Sequence, residues 1–428
     1  MNYVFVTRMF SGLFETIKGK EWNPSGIPTF IKLVEKIALS EMVVWFVICR
    51  TKKESSVIGN KFQSIVFRER IKMFVIPYKH VLNSGKVNAF FTTLSTLYYI
   101  VITLKSLNGR LFYFDRSNIV IAAFIKAISS SPVVIRLLGL YPDQKELSIK
   151  ILSKLTSFLT FISYKIKYDI CICTQDGSGV EYYVDKLLNR KTKKVVLLNG
   201  VVKNEGVGDD ACNARIDEMV NFLFVGALTQ TKGIPELINA FDQVNKKCGK
   251  PWRYQLMIVG KGALYSKISS EIKGKGLDNI QLVGTASLDE VKSYYESTDV
   301  YISLNKLGSL SNTVLEAMAA GRCIIVLGKD EITHTDETTE RLVPEDAAIR
   351  INRNKIVNDL AENIIDLIEN PEKIAVYSER MRAFAKEFLW SWDGRINYEM
   401  ELLERVAKGK TIEMSMLRNV HNERKGLL

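Results

Sequence analysis

The sequence predicts an α/β protein made of two Rossmann-like units, and three observations carry that expectation. At 428 residues the chain exceeds what one ordinary core supports, so two units of roughly 200 residues each are expected. Short apolar, β-branched runs alternate with helically periodic stretches through both halves, the pattern of a parallel sheet wrapped by helices. Between the halves, Lys203 to Asp217 (KNEGVGDDACNARID) is rich in Gly, Asp and Asn and has no apolar period, so it reads as a linker. The expected division is 1–203, a linker at 204–217, a second unit at 218–389, and a final segment at 390–428.

In the first half the strand-like runs are Tyr3–Thr7, Val43–Cys49, Lys72–Pro77, Arg110–Asp115, Val133–Leu138, Ile170–Thr174 and Val195–Asn199. The loop Asn23-Pro24-Ser25-Gly26-Ile27-Pro28 follows the first of them, and Pro28 suits the first turn of a helix. In a doubly wound sheet such a loop lies at the carboxyl edge, where ligands bind. Gly26 would let backbone approach a phosphate or an acceptor there, an ordinary turn glycine being the equal alternative. Val87 to Leu104 contains no charge and just reaches the length of a membrane span. Asn88, Ser95 and several Thr dilute it, so a buried core helix is expected. From Lys145 to Lys167, the stripe Ile151, Leu152, Leu155, Phe158, Leu159, Ile162 with Lys150, Lys154, Lys165 and Lys167 toward its ends reads two ways. It suits a helix facing the core with solvated lysines, and also a helix lying in a membrane interface.

The second half restarts the alternation, with runs at Phe222–Val225, Leu256–Val259, Ile280–Val283, Val300–Leu304 and Cys323–Leu327. Ile234 to Val244 is apolar at helical spacing. Trp390 to Val406 reads as an aromatic, amphipathic helix, and the polar tail after Lys408 is expected to fray.

Charge is unevenly shared. The net charge is +12 overall, but residues 1–203 hold 30 Lys and Arg against 13 Asp and Glu. The first half is therefore the cationic one, suited to nucleic acid, an anionic membrane or a phosphorylated lipid. The six cysteines are scattered and read as reduced thiols, and no secretory leader is visible, so a cytoplasmic location is expected. The three histidines, His80, His334 and His421, are too dispersed for a typical zinc cluster, and no metal site is expected. Neither a Gly-x-Ser-x-Gly elbow nor a P-loop is present, which leaves esterase and NTPase chemistry without support.

Three loops in the second half fall at the ends of expected strands. In Val300 to Gly321 (VYISLNKLGSLSNTVLEAMAAG) a strand delivers a small-residue loop onto a helix start. Free N–H groups and the helix dipole attract phosphate there, so Ser309, Leu310 and Ser311 are candidate phosphate contacts. Asn312 and Glu316, four apart, share a helix face, and a carboxylate accepts two hydrogen bonds from vicinal ribose hydroxyls. Earlier, Gly226-Ala227-Leu228-Thr229-Gln230-Thr231-Lys232-Gly233 is a second such loop, carrying Lys232. Between them Gly260-Lys261-Gly262 would allow close backbone approach to a nucleotide.

These stretches resemble glycosyltransferase family 4. Glu316-Ala317-Met318-Ala319 is similar to the Glu-Ala-Met-Ala half of that family's paired-Glu signature, Lys232-Gly233 to its Lys-Gly loop, and Leu198-Asn199-Gly200-Val201 to its Asn-Gly-Val. Two positions depart: Gly308 stands where the family has its first Glu, and Ala227 where it has an Arg. The resemblance implies the GT-B fold, two Rossmann-like domains across a cleft with a C-terminal helix returning to the first. It further implies a retaining, metal-independent transferase that moves a sugar from a nucleotide diphosphate sugar, its donor substrate, to a hydroxyl and needs no cofactor. Lys232 and Glu316 would be the catalytic pair, and Gly226, Lys232, Gly233, Gly260, Gly262, Ser309, Leu310, Ser311, Asn312 and Glu316 the donor contacts, with Gly26 on the acceptor side. The cationic half suggests a glycan or lipid-linked acceptor in polysaccharide or glycoconjugate synthesis, at the inner face of the cytoplasmic membrane. Three alternatives stand beside this reading: a non-catalytic protein of the same fold, for which Gly308 and Ala227 speak; a sugar-nucleotide epimerase; and a nucleic-acid-binding protein, for which no module is recognisable.

Overall fold

The computed structural model describes residues 2–140, 155–202, 219–249, 253–410 and 412. The chain forms two compact units, the first from 1–174, 180–197 and 393–428, the second from 175–179 and 198–392. The expected linker at 204–217 lies outside the described residues.

Unit 1 holds an eight-stranded sheet made of β1 (Asn2–Arg8), β2 (Met42–Ile48), β3 (Gln63–Phe67), β4 (Ile71–Ile76), β5 (Arg110–Asp115), β6 (Val133–Leu137), β7 (Ile170–Thr174) and β8 (Lys193–Leu197). Their order is β3-β4-β2-β1-β5-β6-β7-β8, parallel except for the antiparallel edge pair β3/β4. β6 and β7 are buried at every residue, as parallel strands covered on both faces must be. The connecting helices are α1 (Phe14–Gly19), α2 (Pro28–Ala38), α3 (Lys52–Ser56), α4 (Gly85–Leu104), α5 (Ile119–Ile128), α6 (Leu155–Lys165) and α7 (Val180–Leu187).

Two expectations change here. The helix expected at Val87–Leu104 is present as α4, but it is not a core helix: Phe90, Phe91, Leu94, Tyr98, Val101 and Ile102 are exposed. Of the Lys145–Lys167 stripe, residues 145–154 lie outside the described residues, while α6 leaves Phe158, Leu159 and Ile162 partly open to solvent.

Unit 2 holds β9 (Val220–Val225), β10 (Tyr254–Val259), β11 (Ile280–Gly284), β12 (Val300–Ser303), β13 (Cys323–Leu327) and β14 (Ile349–Ile351). Their order is β11-β10-β9-β12-β13-β14, all parallel. This is the doubly wound order 3-2-1-4-5-6, which reverses between its first and fourth strands and opens a ligand crevice at that point. Here the reversal lies between β9 and β12. Around the sheet lie α8 (Ile234–Cys248), α9 (Tyr265–Gly274), α10 (Leu288–Glu296), α11 (Asn312–Ala319), α12 (Glu337–Leu342), α13 (Ile356–Glu369) and α14 (Glu372–Phe388). The clearest helix in the sequence, α8, buries Ile234, Leu237, Ile238, Phe241 and Val244 on one face, and α11 buries Val314, Leu315 and Met318.

The last helix among the described residues, α15 (Trp392–Ala407), belongs to unit 1 from Asp393 onward. Its Arg395 and Glu399 are fully buried together with Arg136 of β6. Glu399 pairs with Arg395 at 2.7 Å and lies 4.0 Å from Arg136; Tyr113 of β5 donates to its other oxygen. Burial alone would raise the Glu399 carboxyl, but the two guanidiniums more than offset it and hold its pKa low. Residues Leu198–Val201 fall in unit 2, because Val201 donates to Trp390 O at 2.8 Å and Trp392 donates back to Val201 O at 3.2 Å.

Candidate functional site

The loops after β9 and β12 sit at the reversal point of the unit 2 sheet, the place where a doubly wound sheet offers unpaired backbone and helix N-termini. After β9 the chain passes Gly226, makes a 3-10 turn over Gln230–Lys232, and enters α8 through Gly233. Gly233 has φ +70, and a Cβ there would lie 2.4 Å from the Leu304 side chain, so only glycine lets this loop reach β12. The two loops are also tied by Lys306 N–H to Thr231 O at 2.9 Å and by the Lys306–Glu236 ion pair at 2.6 Å. Lys232 is thereby held at the sheet edge. Burial lowers its pKa below that of a free lysine, and the Asp176 carboxylate opposes the shift.

The glycines at 260 and 262 are needed for the packing of the two loops. A Cβ on Gly260 would lie 1.9 Å from Gly226 O, and one on Gly262 would lie 2.5 Å from Leu228 O. Their bareness lets the second loop pack on the first, which Leu228 and Leu264 stitch through bonds to Lys261 O and Leu228 O.

After β12 the structure reassigns two expected phosphate donors. Ser309 N–H donates to Asp336 Oδ1 at 2.7 Å and its hydroxyl to Oδ2 at 2.9 Å; Leu310 N–H donates to Asp176 O at 3.1 Å. Both residues are buried, so they hold the loop rather than offer N–H groups to a ligand. What they hold is a short strap, Gln175-Asp176-Gly177-Ser178-Gly179. Asp336 N–H also donates to Gly177 O at 2.7 Å. Asp336 is buried against Arg353 at 2.5 Å and accepts from Thr339 at 2.8 Å. Burial pushes its pKa up to about 6, against the pull of Arg353 and of the bonds from Ser309 and Thr339.

The strap explains Gly308. With φ +144, its missing Cβ would lie 2.4 Å from Asp176 O and 2.7 Å from Ser178 N. Strap backbone occupies the space that a side chain at this position requires.

Ser311 caps α11 without a side-chain bond to its backbone, and the first N–H groups of that helix have no acceptor within it. Asn312 Oδ1 accepts from Asn199 Nδ2 at 2.6 Å. One turn on, Glu316 accepts from the Tyr295 hydroxyl at 3.3 Å, a hydroxyl that also donates to Thr313 O at 2.9 Å. Glu316 is half-buried; burial raises its pKa and the Tyr295 bond opposes the rise. The structure thus brings Lys232, Asp176 and the approach to α11 together, with Asn312 and Glu316 on the helix itself. Gly26 lies in unit 1, exposed, with φ +92; its loop is seated by Ser25 N–H on Gly12 O at 3.0 Å. Sequence reading did not find Asp176, Asp336, Arg353 or Tyr295. The Gly-Ser-Gly after Asp176 was the available signal, since Gly177 and Gly179 both have positive φ and both abut backbone.

Residues 220–370 match the family described as Glycosyl transferases group 1. That match falls on a doubly wound sheet with a lysine loop and a helix start at its reversal point, so residues 220–370 of unit 2 are similar to a glycosyltransferase domain. More particularly, the likeness is to the family 4 type with the GT-B fold. An uncharacterized glycosyltransferase of Methanocaldococcus jannaschii is 28% identical over 207 residues, 47% of this chain and 51% of that protein. The alpha-monoglucosyldiacylglycerol synthase of Acholeplasma laidlawii is 26% identical over 184 residues, 42% of each chain. The matched stretch spans about half the length of these curated relatives. Among solved structures, sucrose-phosphate synthase from Thermosynechococcus elongatus superposes with a TM-score of 0.68 at 16% identity, covering 95% of this chain and all of that one. An Anabaena protein in complex with UDP and glucose gives 0.60 at 15% identity, covering 94% and 99%.

Proposed function

We propose that the protein is a retaining, metal-independent glycosyltransferase that moves a sugar from a nucleotide diphosphate sugar to a hydroxyl of a glycan or lipid-linked acceptor. The observation that carries this reading is the placement of the Lys232 ammonium and the α11 N-terminus on adjoining loops at one sheet reversal, with Glu316 one turn into the helix. Negative charge grows on the departing diphosphate during sugar transfer. A fixed ammonium and oriented N–H groups stabilise it without reorganising. Glu316, whose carboxylate accepts from Tyr295, would accept the ribose hydroxyls. The lipid-linked acceptor is supported by the activity for which the Acholeplasma relative is named, diacylglycerol glucoside synthesis, and by the cationic first half.

A charge-assisted hydrogen bond contributes about 1.5–3 kcal/mol. Lys232→Met therefore weakens nucleoside diphosphate binding by roughly ten- to a hundredfold. Glu316→Gln reduces nucleotide affinity while leaving pyrophosphate affinity unchanged. A thermal-shift panel of UDP, GDP and ADP selects the base, and calorimetry on both variants reads the effects. If the wild type binds a nucleotide and neither substitution alters its affinity, the donor site lies elsewhere.

A second reading keeps the fold for binding alone, and the strap over Gly308 together with Ala227 favours it. Turnover of any sugar nucleotide in the presence of acceptor excludes it.

A further inference from the structure

The helix α4 is amphipathic the wrong way round for a soluble protein. Its inward face carries Asn88, Thr92 and Thr96, all buried. These polar groups are satisfied locally: Asn88 Oδ1 accepts from Val81 N–H at 2.8 Å and Leu82 N–H at 3.0 Å, and the Thr92 and Thr96 hydroxyls donate to carbonyls one turn back at 2.8 Å each. Its outward face carries Phe90, Leu94 and Tyr98, which are 53%, 45% and 61% exposed, with Phe91, Val101 and Ile102 beside them. A surface helix in water buries its apolar side; here that side is turned out.

Only the outer face is available to a partner, because Ile100 and Leu104 are seated in the unit 1 core. The helix therefore lies along a surface and does not cross a bilayer. The apolar surface continues onto α5, which packs against α4, through Phe124 and Ile128, and onto α6, which packs against α5, through Phe158 and Ile162. Charge complements it. Lys86 and Lys105 bracket the α4 face, Lys165 lies on α6, Lys126 of α5 is paired with Asp169 at 2.7 Å, and from Pro77 to Phe114 there is no acidic residue. At the C-terminal end of α6 an open depression is lined by Lys165, Lys186, Arg190, Lys191 and Lys194, with Asp185 as the acid among them.

We infer that the outer face of α4, continued by α5 and α6, is a docking surface for an anionic lipid bilayer. The aromatic and aliphatic side chains enter the headgroup–acyl boundary while the flanking lysines meet lipid phosphates. The surface takes in Phe158, Ile162 and Lys165 of the stripe expected at Lys145–Lys167 but centres on α4, the helix that composition assigned to the core.

Vesicle flotation of the full chain tests it, with phosphatidylcholine alone and with added phosphatidylglycerol. Wild type floats with the anionic vesicles, and raised salt weakens it. Phe90→Ser/Leu94→Ser/Tyr98→Ser and, separately, Lys86→Glu/Lys105→Glu each lower the partition by about tenfold or more. Leu288→Ser, at a residue 87% exposed in unit 2, leaves it unchanged. Tyr98→Trp, which retains the apolar face, adds indole fluorescence that brominated acyl chains quench. All variants are checked by urea unfolding and for nucleotide binding, so loss of docking is distinguished from loss of fold or of the donor site. Absence of wild-type flotation, equal flotation of the triple variant, no added quenching in the Tyr98→Trp variant, or a concentration-dependent dimer that the triple variant abolishes would each overturn the inference.

Discussion

Gly308 admits no side chain, which bears on how the departure from the family pattern is understood. Restoring a glutamate there adds a Cβ 2.4 Å from Asp176 O at φ +144. Gly308→Glu and Gly308→Ala are both expected to destabilise unit 2, by about 1–3 kcal/mol from backbone strain before the overlap is counted. Neither raises transfer activity; urea midpoints and a donor-turnover assay read the two effects. Asp336 makes stability depend on pH in the opposite sense to an ordinary paired carboxylate. Its pKa is raised to about 6 from 3.8, so the folded chain holds this proton when the unfolded chain has lost it. Its contribution is most favourable below about pH 4 and falls as pH rises to about 6, by roughly 3 kcal/mol. Asp336→Asn removes that slope from the pH profile of the unfolding midpoint, while losing the Arg353 pairing at all pH values. The Lys232-Gly233 loop and Glu316 were readable in advance because loop chemistry and helix spacing are local. Asp176 was not, since its role depends on a strap that meets Ser309 and Asp336 more than a hundred residues later.

At the scale of elements, the strands were legible wherever both faces are buried. Arg110–Asp115, Ile170–Thr174 and Cys323–Leu327 have the expected bounds, because continuous apolar runs are what a covered parallel strand requires. β3 escaped: it is an edge strand with Ser64 and Val66 outward, so its apolar content is diluted. β14 escaped because three residues give no period to detect. For α4, composition supplied the helix but not its orientation. An uncharged eighteen-residue run is ambiguous about which side faces out, and only packing decides. The α15 helix carries a further prediction. Glu399→Ala leaves Arg136 and Arg395 buried without their carboxylate, and is expected to cost about 3–5 kcal/mol. Combined with Arg395→Met, the loss is smaller than the sum of the two single changes, a coupling that a double-mutant cycle in urea measures.

For the molecule as a whole, the fold class followed from length, alternation and the break between the halves, whereas the reversal point of the unit 2 sheet follows from strand order, which a sequence does not display. The division into units was harder to read, because unit 2 takes residues 175–179 from the middle of the first half and unit 1 takes its last helix from the far end of the chain. That last feature sets a timetable for biosynthesis. A nascent chain emerging from the ribosome presents β5, β6 and β7 long before Glu399 exists, and Arg136 then has no carboxylate with which to enter the core. The amino-terminal sheet must wait, incompletely closed, while nearly two hundred residues of the other unit are made. Co-translational folding, which ordinarily proceeds from the amino terminus domain by domain, is here expected to complete the later-encoded unit first. A protease pulse applied to stalled chains ending before and after residue 399 will find the first unit cleavable in the one and protected in the other.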